Sequence, residues 1–489
     1  MFPISLRSKR AQLALRFFTY GVMTLATVVL TTLAIFYAMG YRFNQSSLEF
    51  EQGGLVQFRS LPEAATVVVD GVAQNFKTPG RANFPAGDHT IVMQLSGYRD
   101  WQRTVSLAPG QLLWLNYARL FPTSITTVPV KTFPSVTGML PAPDHRWIVI
   151  QEKQDTPSFT LVDLADEKKP VLTTLTIPDA ALPKKDGKIG TLSLVEWDLS
   201  SRYFIVRQQN AGVDQWLRVD RTNPNETINI SDKFRLAITD IHFSGGNPNF
   251  VYVKTDDVLR KLDINANSAS AALVVGVQQF SVYGDDTISY IAKRPSADGT
   301  QTQQFVGLYR GNKELVLQAF PLNATVRIAF GQYDNHDFFA IHTGDGDVRV
   351  LRNPFSENQG NAEFATFTTG KPVQWLKMSN NGRMVVAGVD DVMITYDLEL
   401  GRSYRSILPF AGAANSQPLQ WLDDYYLWSD SGERLRLLEF DGQNEREITT
   451  VAPGFSATLS PSGKTLFSIG KNTVTNSYFL QASQLTTPY

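Results

Sequence analysis

Five histidines are the residues of this chain best suited to acid–base or metal chemistry. They are His89, His145, His242, His336 and His342. None forms an HExxH pair, and none accompanies a Gly-x-Ser-x-Gly elbow. His89 is expected to begin a strand, and His242 and His342 lie in apolar strands, where a hydrogen-bonded structural histidine is the commoner case. The sequence therefore nominates no catalytic, cofactor-binding or metal-binding residue.

Paired acidic residues offer a second chemistry, because carboxylate oxygens in a tight loop are good ligands for Ca²⁺. The pairs are Asp285–Asp286, Asp345 with Asp347, Asp390–Asp391 and Asp423–Asp424. None completes the D-x-[DN]-x-[DN]-G loop with a distal glutamate. Aspartate is also a common turn residue, since its side chain accepts backbone hydrogen bonds. We therefore expect these pairs to shape turns, with calcium binding as the alternative.

Two further patterns carry less information. The glycine-containing stretch "SGGNPN" at 244–249 lacks the lysine and the helix of a phosphate loop, so a turn is predicted there. Exposed tryptophans can stack on sugar rings, although in β-rich domains they more often belong to the core. The tryptophans considered are Trp101, Trp114, Trp375, Trp421 and Trp428.

Composition limits the remaining classes. The chain has 489 residues and no cysteine, which excludes disulfides, zinc–thiolate sites, iron–sulfur clusters, thiol catalysis and a lipid anchor on cysteine. Its 43% hydrophobic, 11% aromatic and 19% charged residues are typical of folded protein rich in β-structure. Residues 1–16 contain four basic residues and no acidic one, and leave 41 basic against 46 acidic residues in the rest of the chain. That balance does not favour nucleic acid as a partner.

The N-terminal region predicts a membrane anchor. Residues 17–39 carry no charge and, as a helix, would rise roughly 34 Å, enough to cross the hydrocarbon layer. The basic tail at 1–16 predicts a cytoplasmic N-terminus, with the chain after about residue 40 outside the cell membrane. A cleaved signal peptide and a buried core helix are the alternatives. The run is longer than a signal peptide requires and lacks a polar stripe, so both are less favoured.

After a polar, glycine-broken stretch at 40–58, expected to be a stalk, the pattern becomes that of short strands. Between residues 59 and 121, apolar runs alternate with Asp-Gly, Thr-Pro-Gly, Pro-Ala-Gly and Ala-Pro-Gly turns. Roughly 60 residues suffice for a small antiparallel sandwich with one thin core.

The same residues resemble the PEGA domain, a small β module of bacterial and archaeal surface proteins. The resemblance rests on Leu61-Pro62-Glu63-Ala64-Ala65, the Val-Val-Val-Asp-Gly segment at 67–71, Gly97-Tyr98 and Trp101. Ala64 stands where the motif has glycine, so a backbone angle that needs glycine is in question there. The resemblance implies a place at the cell surface, and the family has no established catalytic residues.

From residue 122 to 489 one cassette returns eight times: an apolar strand, a polar turn and a second apolar strand, usually followed by a third strand. The cassettes begin at residues 138, 193, 240, 279, 327, 373, 419 and 455. Four short strands per repeat of roughly 40–50 residues predict a β-propeller. Eight blades are favoured over seven; separate sandwiches or a β-solenoid would not explain a single recurring cassette. Its turn resembles the Ser-Pro-Asp-Gly hairpin of WD-like and Tol-Pal-type propellers, most closely at residues 460–463.

Together these features predict a mainly β protein with one transmembrane helix, a PEGA-like sandwich and a propeller. The function expected is non-catalytic: a membrane-anchored, extracytoplasmic binding or scaffolding protein of the bacterial envelope. Its propeller would bind a protein, peptide or cell-wall glycan, without cofactor or metal. An exported propeller hydrolase or lyase, and a structural spacer of a surface layer, are the alternatives. Fold alone does not decide among them.

Overall fold

The computed structural model describes residues 9–38, 41–44, 49–296, 299–356, 363–408, 410 and 419–487. The chain divides into two compact units, Met1–Thr123 and Ser124–Tyr489. The described residues of the first unit form one long helix and nine strands. These are α1 (Lys9–Ala38), β1 (Tyr41–Asn44), β2 (Glu49–Gln52), β3 (Gly54–Leu61), β4 (Thr66–Val69), β5 (Val72–Lys77), β6 (Gly80–Phe84), β7 (Gly87–Gln94), β8 (Trp101–Leu107) and β9 (Leu112–Arg119).

Helix α1 contains a segment long and apolar enough to cross a membrane, Leu13–Phe36, of which no part is buried within the protein. Its threonine hydroxyls donate to carbonyls one turn earlier, as Thr19 does to Leu15 and Thr24 to Tyr20. Helical hydrogen bonding of this kind satisfies polar groups that would be costly in lipid. The helix is therefore a candidate membrane anchor.

The PEGA-like region is a two-sheet sandwich. One sheet has the order β6–β3–β9 and the other β5–β4–β7–β8. Alternate side chains of both sheets point inward and are buried, among them Phe58, Val67, Ile91 and Leu115. Phe58 of the first sheet lies 5.7 Å from Phe76 of the second, measured between ring centroids, so aromatic contacts join the layers.

Two details of this region differ from the sequence-based expectation. Strand β3 pairs with β9 in parallel, whereas a wholly antiparallel sandwich was expected. Parallel pairing is available here because β3 and β9 are the first and last strands of the domain, so a long connection separates them. Strand β3 also begins at Gly54, inside the segment 40–58 that was expected to be a stalk, because its alternate residues Val56 and Phe58 enter the core.

The second unit is built almost entirely of strands. In chain order they are β10 (Thr127–Phe133), β11 (Gly138–Pro141), β12 (Trp147–Gln151), β13 (Ser158–Asp163), β14 (Val171–Thr176), β15 (Thr191–Trp197), β16 (Tyr203–Asn210), β17 (Val213–Asp220), β18 (Ile228–Asn229), β19 (Ile238–Phe243), β20 (Phe250–Thr255), β21 (Val258–Asp263), β22 (Ser268–Ala269), β23 (Val274–Val275), β24 (Val277–Tyr283), β25 (Thr287–Pro295), β26 (Thr302–Arg310), β27 (Lys313–Pro321), β28 (Arg327–Tyr333), β29 (His336–His342), β30 (Asp347–Arg352), β31 (Glu363–Thr368), β32 (Trp375–Met378), β33 (Met384–Val389), β34 (Val392–Asp397), β35 (Arg402–Ile407), β36 (Gln420–Trp421), β37 (Tyr426–Ser429), β38 (Arg434–Glu439), β39 (Arg446–Thr450), β40 (Thr458–Leu459), β41 (Thr465–Asn472) and β42 (Ser477–Gln484). A short helix, α2 (Ile230–Phe234), and three 3₁₀ turns, Asp179–Ala181, Pro224–Glu226 and Ser431–Glu433, interrupt them.

In the described residues these strands form eight antiparallel sheets, which we number as blades in chain order. Blade 1 is β11–β14, blade 2 β15–β18, blade 3 β19–β23, blade 4 β24–β27, blade 5 β28–β31, blade 6 β32–β35 and blade 7 β36–β39. Blade 8 has the order β10–β42–β41–β40, so its outermost strand comes from the start of the unit. Every cassette recognised in the sequence is the first hairpin of one blade, and the eight-bladed prediction is confirmed.

The apolar core lies between neighbouring blades. One buried cluster joins Val149 and Phe159 of blade 1 to Phe204 of blade 2. Another joins Ile148 of blade 1 to Phe467 of blade 8 and thereby closes the ring. Each blade thus buries its faces against its two neighbours, as a propeller requires.

Candidate functional site

The first strands of neighbouring blades contact one another, as β11 does β15 and β28 does β32, and so surround the central channel. On the first strand of each blade, one residue pairs with a fully buried residue of the second strand. The residue immediately before it is the equivalent position in all eight blades. We call the eight side chains at this position the inner ring. They are Leu140, Glu196, His242, Ser281, Ala329, Lys377, Gln420 and Thr458.

An acidic group and a histidine meet on one side of the inner ring. The Nδ1 atom of His242 lies 2.8 Å from Oε2 of Glu196 on the preceding blade, and the backbone N–H of Phe243 donates to Oε1 of the same carboxylate at 2.6 Å. Asp240 places Oδ1 3.8 Å from Nε2 of His242. Burial alone would lower the pKa of His242, but the Glu196 hydrogen bond and the charges of Glu196 and Asp240 together raise it. This side therefore combines two carboxylates with an imidazole whose charged form they stabilise.

A lysine occupies the inner ring on blade 6. The ammonium of Lys377 donates to the carbonyl of Leu419 at 3.0 Å and to Oε1 of Gln420, the inner-ring residue of blade 7, at 2.7 Å. Both acceptors are neutral, and among the described residues no carboxylate forms an ion pair with Lys377. Burial lowers the pKa of Lys377 to about 8. An amine buried in this way retains one unused donor, which an acidic ligand could satisfy.

A second cation lies on the neighbouring first strand. Arg327, exposed at the start of β28, donates from Nε to the carbonyl of Gln374 at 3.1 Å and from Nη1 to that of Val326 at 3.2 Å. Its hydrogen bonds also end on neutral oxygens. The first strands of blades 5 and 6 therefore carry positive charge without a paired carboxylate, whereas those of blades 2 and 3 carry carboxylates. Blade 2 and blade 6 are four positions apart in a ring of eight, so Glu196 and Lys377 lie on opposite sides.

The five histidines have separate roles. His242 belongs to the inner ring, whereas His342 is fully buried, with Nδ1 2.9 Å from the carbonyl of Asp347 and Nε2 accepting from Val373 at 2.9 Å. His145 contacts Thr458 of blade 8 at 3.1 Å, and His336 contacts the side-chain amide of Asn353 at 2.9 Å. His242 and His342 lie in strands β19 and β29, and both are hydrogen-bonded there.

His89 lies in the PEGA-like sandwich with an acceptor at each ring nitrogen. Its Nδ1 lies 2.6 Å from Oδ2 of Asp70, and its Nε2 lies 2.8 Å from the carbonyl of Pro85. The other oxygen of Asp70 accepts from the backbone N–H of Thr90 at 2.8 Å. Asp70 and Gly71 also form the hairpin turn predicted between β4 and β5, both with positive φ. The turn residue therefore has a second partner that its sequence pattern did not reveal.

The acidic pairs lie in turns. Asp423 accepts backbone hydrogen bonds from Tyr425 at 2.9 Å and Tyr426 at 2.8 Å, and Asp390 adopts a positive φ while pairing with Lys371. Within the part of the chain that the structure describes, no three histidine, aspartate or glutamate side chains are arranged to hold a metal ion. The turn role is therefore the one that these contacts support.

The tryptophans divide between core and surface. Trp101 and Trp428 are buried, and Trp375 and Trp421 are half-buried, whereas Trp114 is 41% exposed on strand β9. Trp101 and Trp428 therefore belong to the core, whereas part of the Trp114 side chain is exposed to solvent.

Sequence reasoning did not identify Glu196, Asp240 or Lys377. Each interrupts an otherwise apolar first strand, so the available signal was a charged residue in a cassette position that is apolar or neutral in other blades. That signal can be used only when the register of each hairpin is known. Met378 and Trp197 each pair with a fully buried residue of the second strand, and this pairing shows that Lys377 and Glu196 occupy equivalent positions.

Comparisons with known proteins agree with this architecture. Residues 54–120 match the family model of the PEGA domain. No curated protein matches the chain.

Solved structures similar to the chain include propeller proteins of low sequence identity. The β-propeller domain of Cps50 (Swd1) from Myceliophteria thermophila is 12% identical, with 74% of this chain and 100% of that chain covered and a TM-score of 0.37. Hsv2 of Kluyveromyces lactis is 11% identical, with coverages of 72% and 98% and a TM-score of 0.39. A chain of the mitotic checkpoint complex is 11% identical, with coverages of 75% and 97% and a TM-score of 0.37.

The propeller assignment rests on the eight sheets and their closure rather than on these scores. The chain carries a PEGA domain at residues 54–120, a β-propeller after it and an N-terminal helix that is a candidate membrane anchor.

Proposed function

We propose that this protein is a non-catalytic, membrane-anchored binding protein whose propeller channel holds a protein or peptide outside the cell membrane. The observation that carries the proposal is the inner ring, with the Glu196 carboxylate, and Asp240 beside it, on one side and the Lys377 amine on the opposite side. A peptide has charges of both signs and many backbone donors and acceptors, so it can satisfy both sides at once. Clefts with fixed charges attract such ligands and orient them.

Lys377 supports a binding role in a second way. An amine that is half-buried against neutral oxygens lowers the stability of the fold, and natural proteins retain such groups mainly where function needs them. The carboxylate of a bound peptide would supply the missing partner.

The alternative of a hydrolase or lyase would use His242 as a base. Glu196 lies at Nδ1 of the imidazole and Asp240 near Nε2, so a carboxylate lies beside each ring nitrogen. Neither Glu196 nor Asp240 is a hydroxyl nucleophile of the kind that a histidine base activates. These contacts support binding over catalysis.

The channel is tested by photo-crosslinking in the native host. A photoreactive residue in place of Ser281, an exposed member of the inner ring, should capture a protein or peptide. The same residue in place of Thr174, exposed on the outermost strand of blade 1, is the matched control. Capture at position 281 should fall at least fivefold in Lys377→Met and Glu196→Gln. Equal capture at both positions would contradict the proposal, and turnover of the captured molecule that is lost in His242→Gln would favour the enzyme.

The orientation is tested with single cysteines, because the chain has none of its own. Val474, 92% exposed in the turn between β41 and β42, is replaced by cysteine in one variant and Ser8 of the basic tail in another. A membrane-impermeant maleimide should label Val474→Cys in intact cells and Ser8→Cys only after permeabilisation. The reverse pattern would place the propeller in the cytoplasm.

A further inference from the structure

The outer face of the sheet β6–β3–β9 carries two aligned rows of side chains. Strand register places Arg81, Gln57 and Trp114 in one row. The neighbouring row contains Asn83, Leu55 and Leu112. The alternate residues of these strands, such as Val56 and Leu113, are buried in the sandwich. Both rows therefore face away from the core.

The groups in the first row are open to a ligand. Trp114 is 41% exposed, and Leu112 beside it is 43% exposed. Arg81 is exposed and Gln57 is half-buried, and neither side chain has a hydrogen bond or ion pair with any described residue. Two strand spacings separate Arg81 from Trp114, so the row is about 10 Å wide.

The three side chains of this row have complementary chemistry. An indole offers a flat apolar face, a primary amide both donates and accepts, and a guanidinium binds a carboxylate through paired hydrogen bonds. A sugar ring that carries a carboxylate presents the matching groups: an apolar C–H face, hydroxyls and an anion. We propose that this face of the PEGA domain binds a glycan built of carboxylate-bearing sugars.

Charge favours an acidic glycan over a neutral one. The outward positions of the three strands include Arg59 and Arg81 and no acidic residue. Arg59 lies 3.6 Å from Glu63, but both side chains are more than half exposed, so this ion pair leaves most of the positive potential in place.

Size favours a glycan over a protein. The apolar part of the face consists of Leu55, Leu112 and Trp114. A stable protein interface buries roughly 800 Å² on each partner, which three side chains cannot supply. A glycan chain, in contrast, needs only a stacking platform and a few polar contacts. This inference concerns the PEGA domain and stands independently of the function proposed for the propeller.

The experiment measures binding of the full-length protein in detergent to three uronate polymers, polygalacturonate, alginate and hyaluronate, with the neutral polymer dextran for comparison. At least one uronate polymer should bind in a salt-sensitive manner and at least tenfold more tightly than dextran. Trp114→Ala and Arg81→Gln should each weaken that binding at least tenfold. Arg99→Gln removes a positive charge from an exposed loop of the same domain and should change it less than twofold.

Absence of binding to all three polymers would overturn the proposal. So would binding that Trp114→Ala leaves unchanged, or that Arg99→Gln weakens as much as Arg81→Gln does. Thermal melting of each variant separates loss of binding from loss of folding, since both target side chains are exposed. Lys377→Met changes the propeller and should leave glycan binding unchanged. The glycan proposal and the channel proposal can therefore be overturned independently.

Discussion

Arg383 and Asp397 form a buried, two-point ion pair in blade 6: Nε lies 2.9 Å from Oδ1, and Nη2 lies 2.6 Å from Oδ2. The arginine follows the first hairpin turn of the blade, and the aspartate ends its third strand. Blades 1 and 2 repeat the device as Arg146–Asp163 and Arg202–Asp220. In each case the aspartate also accepts a backbone hydrogen bond from the turn that follows it. The pair thus ties two turns of one blade together.

The repeated pairs predict unequal stability effects. In blade 6 the side chains of Arg383 and Asp397 are 7% and 0% exposed, whereas in blade 1 those of Arg146 and Asp163 are 46% and 22% exposed. Asp397→Asn should lower the free energy of unfolding by about 3 kcal/mol, because it removes the fully buried carboxylate and leaves the buried guanidinium with only the partly exposed Glu399 as a charged partner. Asp163→Asn should cost less than about 1 kcal/mol. Chemical denaturation of the two variants checks this, and equal losses would contradict it.

The PEGA motif predicts a stabilising substitution. Ala64, where the family has glycine, adopts φ = 68°, in the left-handed region that side chains disfavour. Ala64→Gly should therefore raise the free energy of unfolding by about 0.5–1 kcal/mol, after allowing for the greater freedom of glycine in the unfolded chain. Ala73→Gly is the control, because Ala73 is an exposed strand residue outside that region, and it should lower stability by a similar amount. Thermal melts that show both variants destabilised would contradict the argument.

The Asp70–His89 pair predicts a stability maximum in mildly acidic solution. Burial opposes charge on His89, but its hydrogen bonds to Asp70 and Pro85 raise its pKa, so this contribution is complete below about pH 6.5 and is lost as pH rises through the folded pKa. The His89 hydrogen bond and then that from Thr90 lower the pKa of Asp70, so its contribution is present above about pH 4 and is lost as pH falls further. The melting temperature of the PEGA domain should therefore decline on both sides of this window.

The variant His89→Gln should flatten the alkaline side of that profile. Melting followed between pH 4 and pH 9, for wild type and variant in parallel, isolates the contribution of the pair. A variant whose profile is parallel to that of the wild type would show that the histidine does not change its protonation there.

Lys377 predicts a gain in stability when it is replaced. Burial depresses its pKa to about 8, so the folded protein carries the lysine charge at a cost at pH 7. Between that value and the unfolded pKa of about 10.4, the unfolded chain binds more protons, and stability rises with pH. Lys377→Met should melt at a higher temperature than wild type at pH 7, and the difference should shrink towards pH 10.

The control for Lys377→Met is Lys371→Met. Lys371 is 69% exposed in its pair with Asp390, so its replacement should leave the melting temperature close to that of wild type. A Lys377→Met variant that is less stable than wild type at pH 7 would mean that the two hydrogen bonds of the amine outweigh the cost of burying it.

The parts of the fold that the sequence predicts are those encoded by neighbouring residues. Each first hairpin has its polar turn between two apolar runs, and Asp70-Gly71 marks a turn because only a few residue types tolerate positive φ. All eight cassettes and this turn could therefore be found by pattern alone.

Long-range pairings could not be predicted in the same way. Strand β3 could have paired with any neighbouring strand, and its parallel pairing with β9 depends on packing of the whole sandwich. Glu196 and His242 are 46 residues apart and meet only because two blades pack in one relative register. Nothing in either cassette specifies that register, so the candidate site was not recognisable before the fold.

Strand β10 also determines when the propeller can be completed. Its Thr127 meets Ser483, 356 residues further along the chain, and the faces of blades 1 and 8 cover each other only once that contact has formed. A chain synthesised from its N-terminus would expose the apolar side of blade 1 until β42 had been made. An interrupted product would never cover that side and would remain a substrate for proteases. Ring closure would thus act as a check that synthesis of the propeller has run to its last blade.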